Sequence, residues 1–326
     1  MSVQATGEPV APRNVAADRV LTVRVPASTS NLGAGFDSVG MAIGRWLNVT
    51  ARIGSSYRAV VIKRAGTLAA LDCEYGDDLI WRGFVAACVA LRRTPPDGID
   101  LDVTSDIPVA RGLGSSAAAV VAGVLLANSV FHGDLDSAAI IDIAASLEGH
   151  PDNVAPSTLG GAVLSVRTAG HHYRSVRLAV HPSLRFVFLV PDFEVRTAVA
   201  RAALPSQLPF ETAVTAASRA AALVVGLQTA DAEILATALD DVLHVPFRRA
   251  LVPGYDHVTT AAIAAGAIGA TLSGSGSTIV AIVRGSAVND VCKAALHAWR
   301  SAGIGAEAFL TAAEGSGATI ETAQAI

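Results

Sequence analysis

Charge is scarce in this chain. Asp, Glu, Lys and Arg make up 16% of its 326 residues, against about 25% in an ordinary globular domain, while hydrophobic residues reach 52%; that balance argues against disorder. Basic runs are missing too: none is longer than two, as in Arg92-Arg93 and Arg248-Arg249, and 28 acidic residues outweigh 24 basic ones. No nucleic-acid partner is expected, because neutralising successive phosphates takes a clustered positive face. Only three cysteines occur, Cys73, Cys88 and Cys292. They lack C-x-x-C spacing and flanking histidines, which predicts reduced thiols rather than a disulfide frame or a zinc knuckle. The first twenty residues contain Glu8, Arg13, Asp18 and Arg19 and no apolar core, so they do not read as a signal peptide, and a cytoplasmic location is expected.

Uninterrupted apolar spans are lacking as well. The mean hydropathy is +0.48, and residues 112–131 and 258–283 contain no Asp, Glu, Lys or Arg. Yet the first stretch opens with Gly112-Leu113-Gly114-Ser115-Ser116, and the second contains Ser273-Gly274-Ser275-Gly276-Ser277. Such loops would strand backbone polar groups in hydrocarbon. Both stretches therefore read as buried elements flanking functional loops, and no membrane association is expected.

What is present alternates between two periods. Residues 1–17 are polar and aperiodic, a flexible arm. Strand alternation covers residues 21–25, stopped at Pro26, and then 46–53, 59–63 and 99–103. Helical spacing covers 78–91, with Asp77 or Asp78 as cap, and 135–147, ending near Gly149; the proline-free run 115–130 reads as a buried helix. A strand at 162–166 closes the first half. Beyond it come strands at 186–190, 270–272 and 278–283 and helices at 210–227, 234–239, 258–265 and 288–302. The polar, His-rich segment 168–175 puts a boundary between 168 and 184, and no internal repeat is visible.

Between a strand and the buried helix lies Pro108-Val109-Ala110-Arg111-Gly112-Leu113-Gly114-Ser115-Ser116-Ala117. Glycines allow close backbone approach and positive φ, successive N–H groups and a helix N-terminus suit an anion, and the serine hydroxyls suit a phosphate oxygen or Mg²⁺. The loop has no lysine after its glycines, so it is not the G-x-x-x-x-G-K-[ST] loop, nor is it G-x-G-x-x-G. Taken alone it fits a tight turn with a serine cap equally well.

Its company in the chain narrows the reading. The segment from Pro108 to Ala117 resembles the second motif of the GHMP small-molecule kinases, P-x-x-x-G-L-G-S-S-A, and Leu272-Ser273-Gly274-Ser275-Gly276-Ser277 resembles their third. Pro26-Ala27-Ser28-Thr29-Ser30-Asn31-Leu32-Gly33-Ala34-Gly35-Phe36-Asp37 is similar to the first motif in its homoserine kinase form. So are Gly149-His150-Pro151-Asp152-Asn153-Val154-Ala155-Pro156, Thr197-Ala198-Val199-Ala200-Arg201 and Val245-Pro246-Phe247-Arg248. The resemblance runs from about residue 20 to about residue 310.

It implies an α+β fold in two domains: a flexible arm at 1–17, an N-terminal ATP-binding domain at 18–170 like ribosomal protein S5 domain 2, and a ferredoxin-like C-terminal domain at 171–326. It also implies ATP-dependent phosphorylation of the homoserine hydroxyl in threonine biosynthesis. The nucleotide would lie on Pro108, Val109, Ala110, Arg111, Gly112, Leu113, Gly114, Ser115, Ser116, Ala117 and Ala118, supported by Gly274 and Gly276, with Ser116 and Glu148 as Mg²⁺ ligands. Asn31, Asp37, His150, Thr197, Arg201 and Arg248 would bind the amino acid, Asp37 taking its ammonium and the two arginines its carboxylate. Asp152, Asn153 and Arg201 would form the catalytic group, the first two orienting the hydroxyl, since a loose phosphoryl-transfer transition state does not require prior deprotonation. The implied partners are L-homoserine and ATP, and a homodimer is admitted. Two alternatives stay open: a GHMP kinase for mevalonate or a sugar, and a non-catalytic amino-acid sensor.

Overall fold

A computed structural model describes residues 19–54 and 57–324; the arm expected at 1–17 lies outside them. The first sheet grows from two long antiparallel strands, β1 (Arg19–Ser30) and β2 (Val39–Ile53). Leu21, Val23 and Val25 alternate into the core while Arg24 stays exposed, the half-buried pattern that the sequence announces. Pro26 does not end the strand. The register shifts between Pro26 and Ala27 and pairing continues to Ser30, because a bulge accommodates a residue that cannot donate to the ladder.

Strand β4 (Ile99–Ser105) pairs with β2, and β3 (Val60–Gly66) runs parallel to β4. Helices α1 (Leu79–Ala90), α2 (Ser115–Val130), α3 (Ser137–Glu148) and α4 (Val154–Leu159) follow, with α2 against β1 and β2. Asp78 caps α1, accepting from the Ile80 and Trp81 N–H groups. Ten residues of α2 are buried, so an apolar helix with no polar face is what its position demands. The hairpin β5 (Ala162–Arg167) and β6 (Tyr173–Leu178) joins the sheet through β2.

The second sheet is built from β7 (Leu184–Pro191), β8 (Ala267–Leu272), β9 (Ile279–Arg284) and β10 (Ala306–Thr311). Its order is β10-β7-β9-β8, all antiparallel, with α9 (Tyr255–Ala264) between β7 and β8 and α10 (Val288–Ser301) between β9 and β10. In strand numbers counted from the start of this unit that order is four, one, three, two, which is the ferredoxin-like arrangement. Between β7 and α9 lie α5 (Thr197–Ala202), α6 (Phe210–Thr229), α7 (Ala232–Leu239) and α8 (Val245–Arg248). Both faces of the sheet are covered. Val187, Leu189, Ala281 and Val283 pack with Val258, Val291 and Trp299, whereas Phe186, Phe188, Val280 and Ile282 join the core of the first domain with Leu223, Leu227 and Leu235. That double burial explains why β9 is apolar at every position but its last.

Two strands bear on the division expected at residue 170. A cut there would split the β5–β6 hairpin, and β11 (Thr319–Gln324) returns from the far end of the chain to pair with β1. The strand at 173–178 is hard to read because it carries Arg174 and Arg177, none of its residues is fully buried, and Val176 is exposed. Helix α6 differs from expectation in another way: among the described residues it is the one helix long and apolar enough to cross a membrane, with a mean hydropathy of 1.3 over its most apolar window. The two stretches singled out in the sequence fold instead into α2 and into α9, β8 and β9.

Candidate active site

The cleft between the two sheets holds a cavity of about 400 Å³. One end is built from main chain. In the loop before α2, Gly112 and Gly114 adopt φ of 70° and 69°, and Gly114, at the N-cap position, leaves the helix without a side-chain cap. The first N–H groups of α2 therefore face the cleft as an anion-binding terminus.

This loop is braced from behind. Ser273 Oγ donates to the Gly112 carbonyl at 2.6 Å and lies 2.8 Å from Thr29 Oγ1. The Gly274 N–H donates to Ser30 O, the Thr278 N–H to Arg111 O, and the Ser28 N–H to Leu113 O. The packing leaves no room for a side chain: a Cβ on Gly112 would lie 2.1 Å from Ser273 O, and one on Gly114 would lie 2.2 Å from Ser28 Oγ. The Arg111 side chain turns away, donating to Pro191 O and Asp192 O and pairing with Glu194 at 3.2 Å. It ties the loop to the end of β7.

Beside the loop, Ser116 Oγ donates to Glu148 Oε2 at 2.7 Å. Burial raises the Glu148 pKa, an effect the Ser116 bond and nearby His150 partly offset. Glu148 ends α3, and the left-handed Gly149 (φ 87°) turns the chain back into the cleft at once, so the short spacing to His150 delivers both side chains to it. No group of three or more His, Cys, Asp or Glu residues suited to a metal occurs among the described residues. Two oxygen donors at the mouth of an anion site are nonetheless what Mg²⁺ uses when phosphate and water oxygens complete its shell.

The other end is built from side chains. Asp37 and Arg201 form a bidentate pair, with Arg201 Nη1 and Nη2 donating at 2.8 and 2.7 Å. The residue expected to take an ammonium and one of the two arginines expected to take a carboxylate thus satisfy each other here. Asn31, at φ 71°, accepts from the Asp37 N–H and donates to Gly274 O, so it fixes Asp37 and links the first glycine motif to the third. His150 Nδ1 lies 2.5 Å from Asp152 Oδ1. Burial opposes the charged imidazolium, but the bond to Asp152 and its charge outweigh that and raise the His150 pKa. The Asn153 amide is held by two serines, accepting from Ser28 Oγ at 3.0 Å and donating to Ser30 Oγ at 2.9 Å. Thr197 Oγ1 lies 3.3 Å from Ser275 Oγ.

Arg248 is the outlier. It is only 2% exposed, yet no carboxylate among the described residues pairs with it. Its Nε donates to Ala200 O at 3.1 Å, and its Nη1 lies 3.4 Å from His244 Nδ1. Burial and the nearby Arg201 cation lower its pKa. A buried cation without a counter-ion is costly, and this one borders the cavity.

Asn31, Asp37, His150, Asp152, Asn153, Thr197, Arg201 and Arg248 all line the same cavity as residues 108–116 and Gly274. Ala117 and Ala118 do not; their side chains are fully buried in the core, and Gly276 is also absent from the lining. Apolar residues at the end beside the glycine loop come from β2, β4, α1 and the turn after β3: Leu47, Val103, Leu79, Ile80, Leu68 and Leu71. Trp81 stacks on Phe84, with ring centroids 5.4 Å apart. The sequence reading also missed Ser28 and Ser30 as holders of Asn153 and missed His244, whose signal was its place four residues before Arg248.

Comparison with known proteins agrees with this geometry. The family model described as GHMP kinases N terminal domain matches residues 78–161, and that described as GHMP kinases C terminal matches 223–301. A homoserine kinase of Trichormus variabilis is 38% identical over 300 residues, covering 92% of this chain and 98% of its own length. One from Moorella thermoacetica is 40% identical over 264 residues, covering 81% and 87%. Among solved structures, the homoserine kinase of Cytophaga hutchinsonii superposes with a TM-score of 0.82 at 28% identity, covering 98% of this chain and 100% of its own. A mevalonate kinase of Methanococcus jannaschii shares the fold at 13% identity, with a TM-score of 0.63 over 89% of this chain and 97% of its own. With glycine loop, brace and charged pocket in one cleft, and with relatives spanning nearly its whole length, the chain belongs to the homoserine kinases of the GHMP kinase family.

Proposed function

We propose that the chain transfers the γ-phosphoryl group of ATP to the side-chain hydroxyl of L-homoserine, forming O-phospho-L-homoserine in threonine biosynthesis. The observation that carries this reading is Arg248, a buried guanidinium with no carboxylate partner among the described residues, in the cavity that the glycine loop borders. It calls for a substrate carboxylate, and Asp37 across the pocket calls for an ammonium. Mevalonate brings a carboxylate without an ammonium, and a neutral sugar brings neither.

Homoserine would exchange with the Asp37–Arg201 pair, its ammonium taking Asp37 and its carboxylate taking Arg201 and Arg248. A zwitterion replaces both halves of the internal ion pair, whereas a singly charged ligand leaves one half unpaired. The uncapped N-terminus of α2 receives the phosphates, and the braced loop holds them without rearranging. Ser116 and Glu148 would hold Mg²⁺, which when bound supplies neutralisation of phosphate charge. Asp152 is committed to His150, and Asn153 to Ser28 and Ser30. They form the wall that orients the hydroxyl, whose proton leaves late in a loose transition state. The three free thiols fit a reducing compartment such as the cytoplasm.

ADP release measured in parallel with homoserine, mevalonate and galactose tests the reading. Turnover with homoserine alone supports it; turnover with either of the others, or homoserine binding by calorimetry without turnover, overturns it.

A further inference from the structure

We infer that His244 is a positioning residue for substrate binding: its neutral ring holds one nitrogen of Arg248 so that the other faces the amino-acid carboxylate. The inference rests on the function proposed above and concerns a residue outside the substrate contacts.

His244 is fully buried, and its surroundings allow one protonation state. Nε2 lies 3.1 Å from the Gly33 carbonyl oxygen, an acceptor only, so Nε2 carries the hydrogen. Nδ1 lies 3.4 Å from Arg248 Nη1, a donor only, so Nδ1 presents its lone pair. A second proton would set an N–H against a guanidinium N–H. The charged groups around the ring are Arg248, Asp241, with Oδ2 at 3.7 Å from Nε2, and Asp37. Asp241 is already occupied as a backbone cap, accepting from the N–H groups of Leu243, His244 and Val245. Burial lowers the His244 pKa and Arg248 adds to this, against the pull of Asp241, the Gly33 bond and Asp37.

The result is a fixed arginine. Nε is bonded to Ala200 O and Nη1 to His244, leaving Nη2 without a hydrogen-bond acceptor among the described residues. The Phe36 ring lies between these groups: it stacks on the His244 ring at 5.1 Å, and the Arg248 and Arg201 guanidinium carbons lie 5.2 and 5.7 Å from its centroid. Through Gly33 and Phe36 the same histidine also connects the clamp to the loop that carries Asp37. Binding thus finds both charges of the pocket pre-oriented, which is worth most to a small ligand with few other contacts.

Two substitutions separate the two ring nitrogens. In H244N the amide oxygen falls near the place of Nδ1 and keeps an acceptor for Arg248; in H244Q the amide falls near Nε2, keeps the Gly33 bond and abandons Arg248. Steady-state kinetics of wild type, H244N, H244Q and H244L are measured with each substrate varied. The expected result is a homoserine KM raised about ten- to a hundred-fold in H244Q and H244L, the loss of a bond to a charged group, and within about threefold of wild type in H244N, with the ATP KM unchanged. In wild type the homoserine KM also rises as pH falls below the ordinary histidine range. H244N removes that rise. Equal homoserine KM values in H244N and H244Q, or homoserine and ATP KM values that rise together, overturn the inference. A wild-type chain inert toward homoserine overturns the proposed function instead.

Discussion

The two ends of the cleft solve the same problem, holding a charged ligand, with different materials. The end beside the glycine loop uses backbone: left-handed glycines, an uncapped helix and a turn from the second sheet, with the Arg111 side chain spent on the carbonyls of Val109, Pro191 and Asp192. The end proposed for the amino acid uses charged and titratable side chains from four separate segments: Asp37, His150, Arg201 and Arg248. Main-chain amides are fixed once the loop is fixed and cannot be titrated, whereas side-chain charges discriminate sign and shape but must be stabilised when no ligand is there. Asp37 and Arg201 achieve this by pairing; Arg248 does not, and its burial is a standing cost to the fold.

Damage to the backbone end is expected to have the largest effect. Gly112→Ala forces a Cβ to 2.1 Å from Ser273 O at a φ of 70°, so loop and brace must separate. The expected outcome is a fall in kcat/KM of about a thousandfold or more with a stability loss of roughly 2–4 kcal/mol, read by denaturant titration. Unchanged kinetics would show that the brace does not support the loop. At the charged end, activity and stability should move in opposite senses. Arg248→Met is expected to raise the homoserine KM about a hundredfold or more while leaving stability the same or increasing it by about 1–3 kcal/mol. Lower stability would mean that Arg248 is held for structure.

A sharper contrast comes from Asp37→Asn, which releases Arg201 and removes the ammonium's counter-charge. Its homoserine KM should rise about ten- to a hundred-fold, and its preference for homoserine over the des-amino analogue 4-hydroxybutyrate should shrink by a similar factor. A preference equal to that of wild type would place the ammonium elsewhere. The smallest effect is one of pH. The His150 pKa is raised by Asp152 in the folded state, so its stabilising contribution is full below about pH 6.5 and is lost as pH rises through the higher folded value. His150→Gln should flatten that decline by less than about 1 kcal/mol, measured as unfolding free energy between pH 6 and 8. An unaltered slope would break the assignment.

The same contrast governs what the sequence reveals. Phosphate binding by backbone requires glycines at set places, so the loop at 108–117 is legible as chemistry before any fold is known. Regular elements with a clear period, such as α1 with its Asp78 cap, are legible for the same reason. Arg201 and Arg248 are single letters whose meaning depends on which other segments they meet, and only the resemblance marked them. Neither declares its place until the burial of Arg248 and the pairing of Arg201 with Asp37 are seen. Pro26 reads as a stop because a bulge is a tertiary accommodation, and β6 and β11 escape because strands completed by distant partners need little pattern of their own. His244 stayed silent because no metal spacing surrounds it; its partners, Gly33 and Arg248, are a carbonyl and a cation rather than ligands of one ion.

The stitching of Ser273 to Thr29 and Gly112 has a consequence for how the molecule comes apart. The nucleotide loop belongs to one half by sequence but depends on the other for its shape, so neither half can melt and leave a working phosphate cradle behind. Denaturation of the two should then be a single cooperative event, and ATP, though on the proposed reading it touches mainly the first half, should protect the second from heat and protease to the same degree.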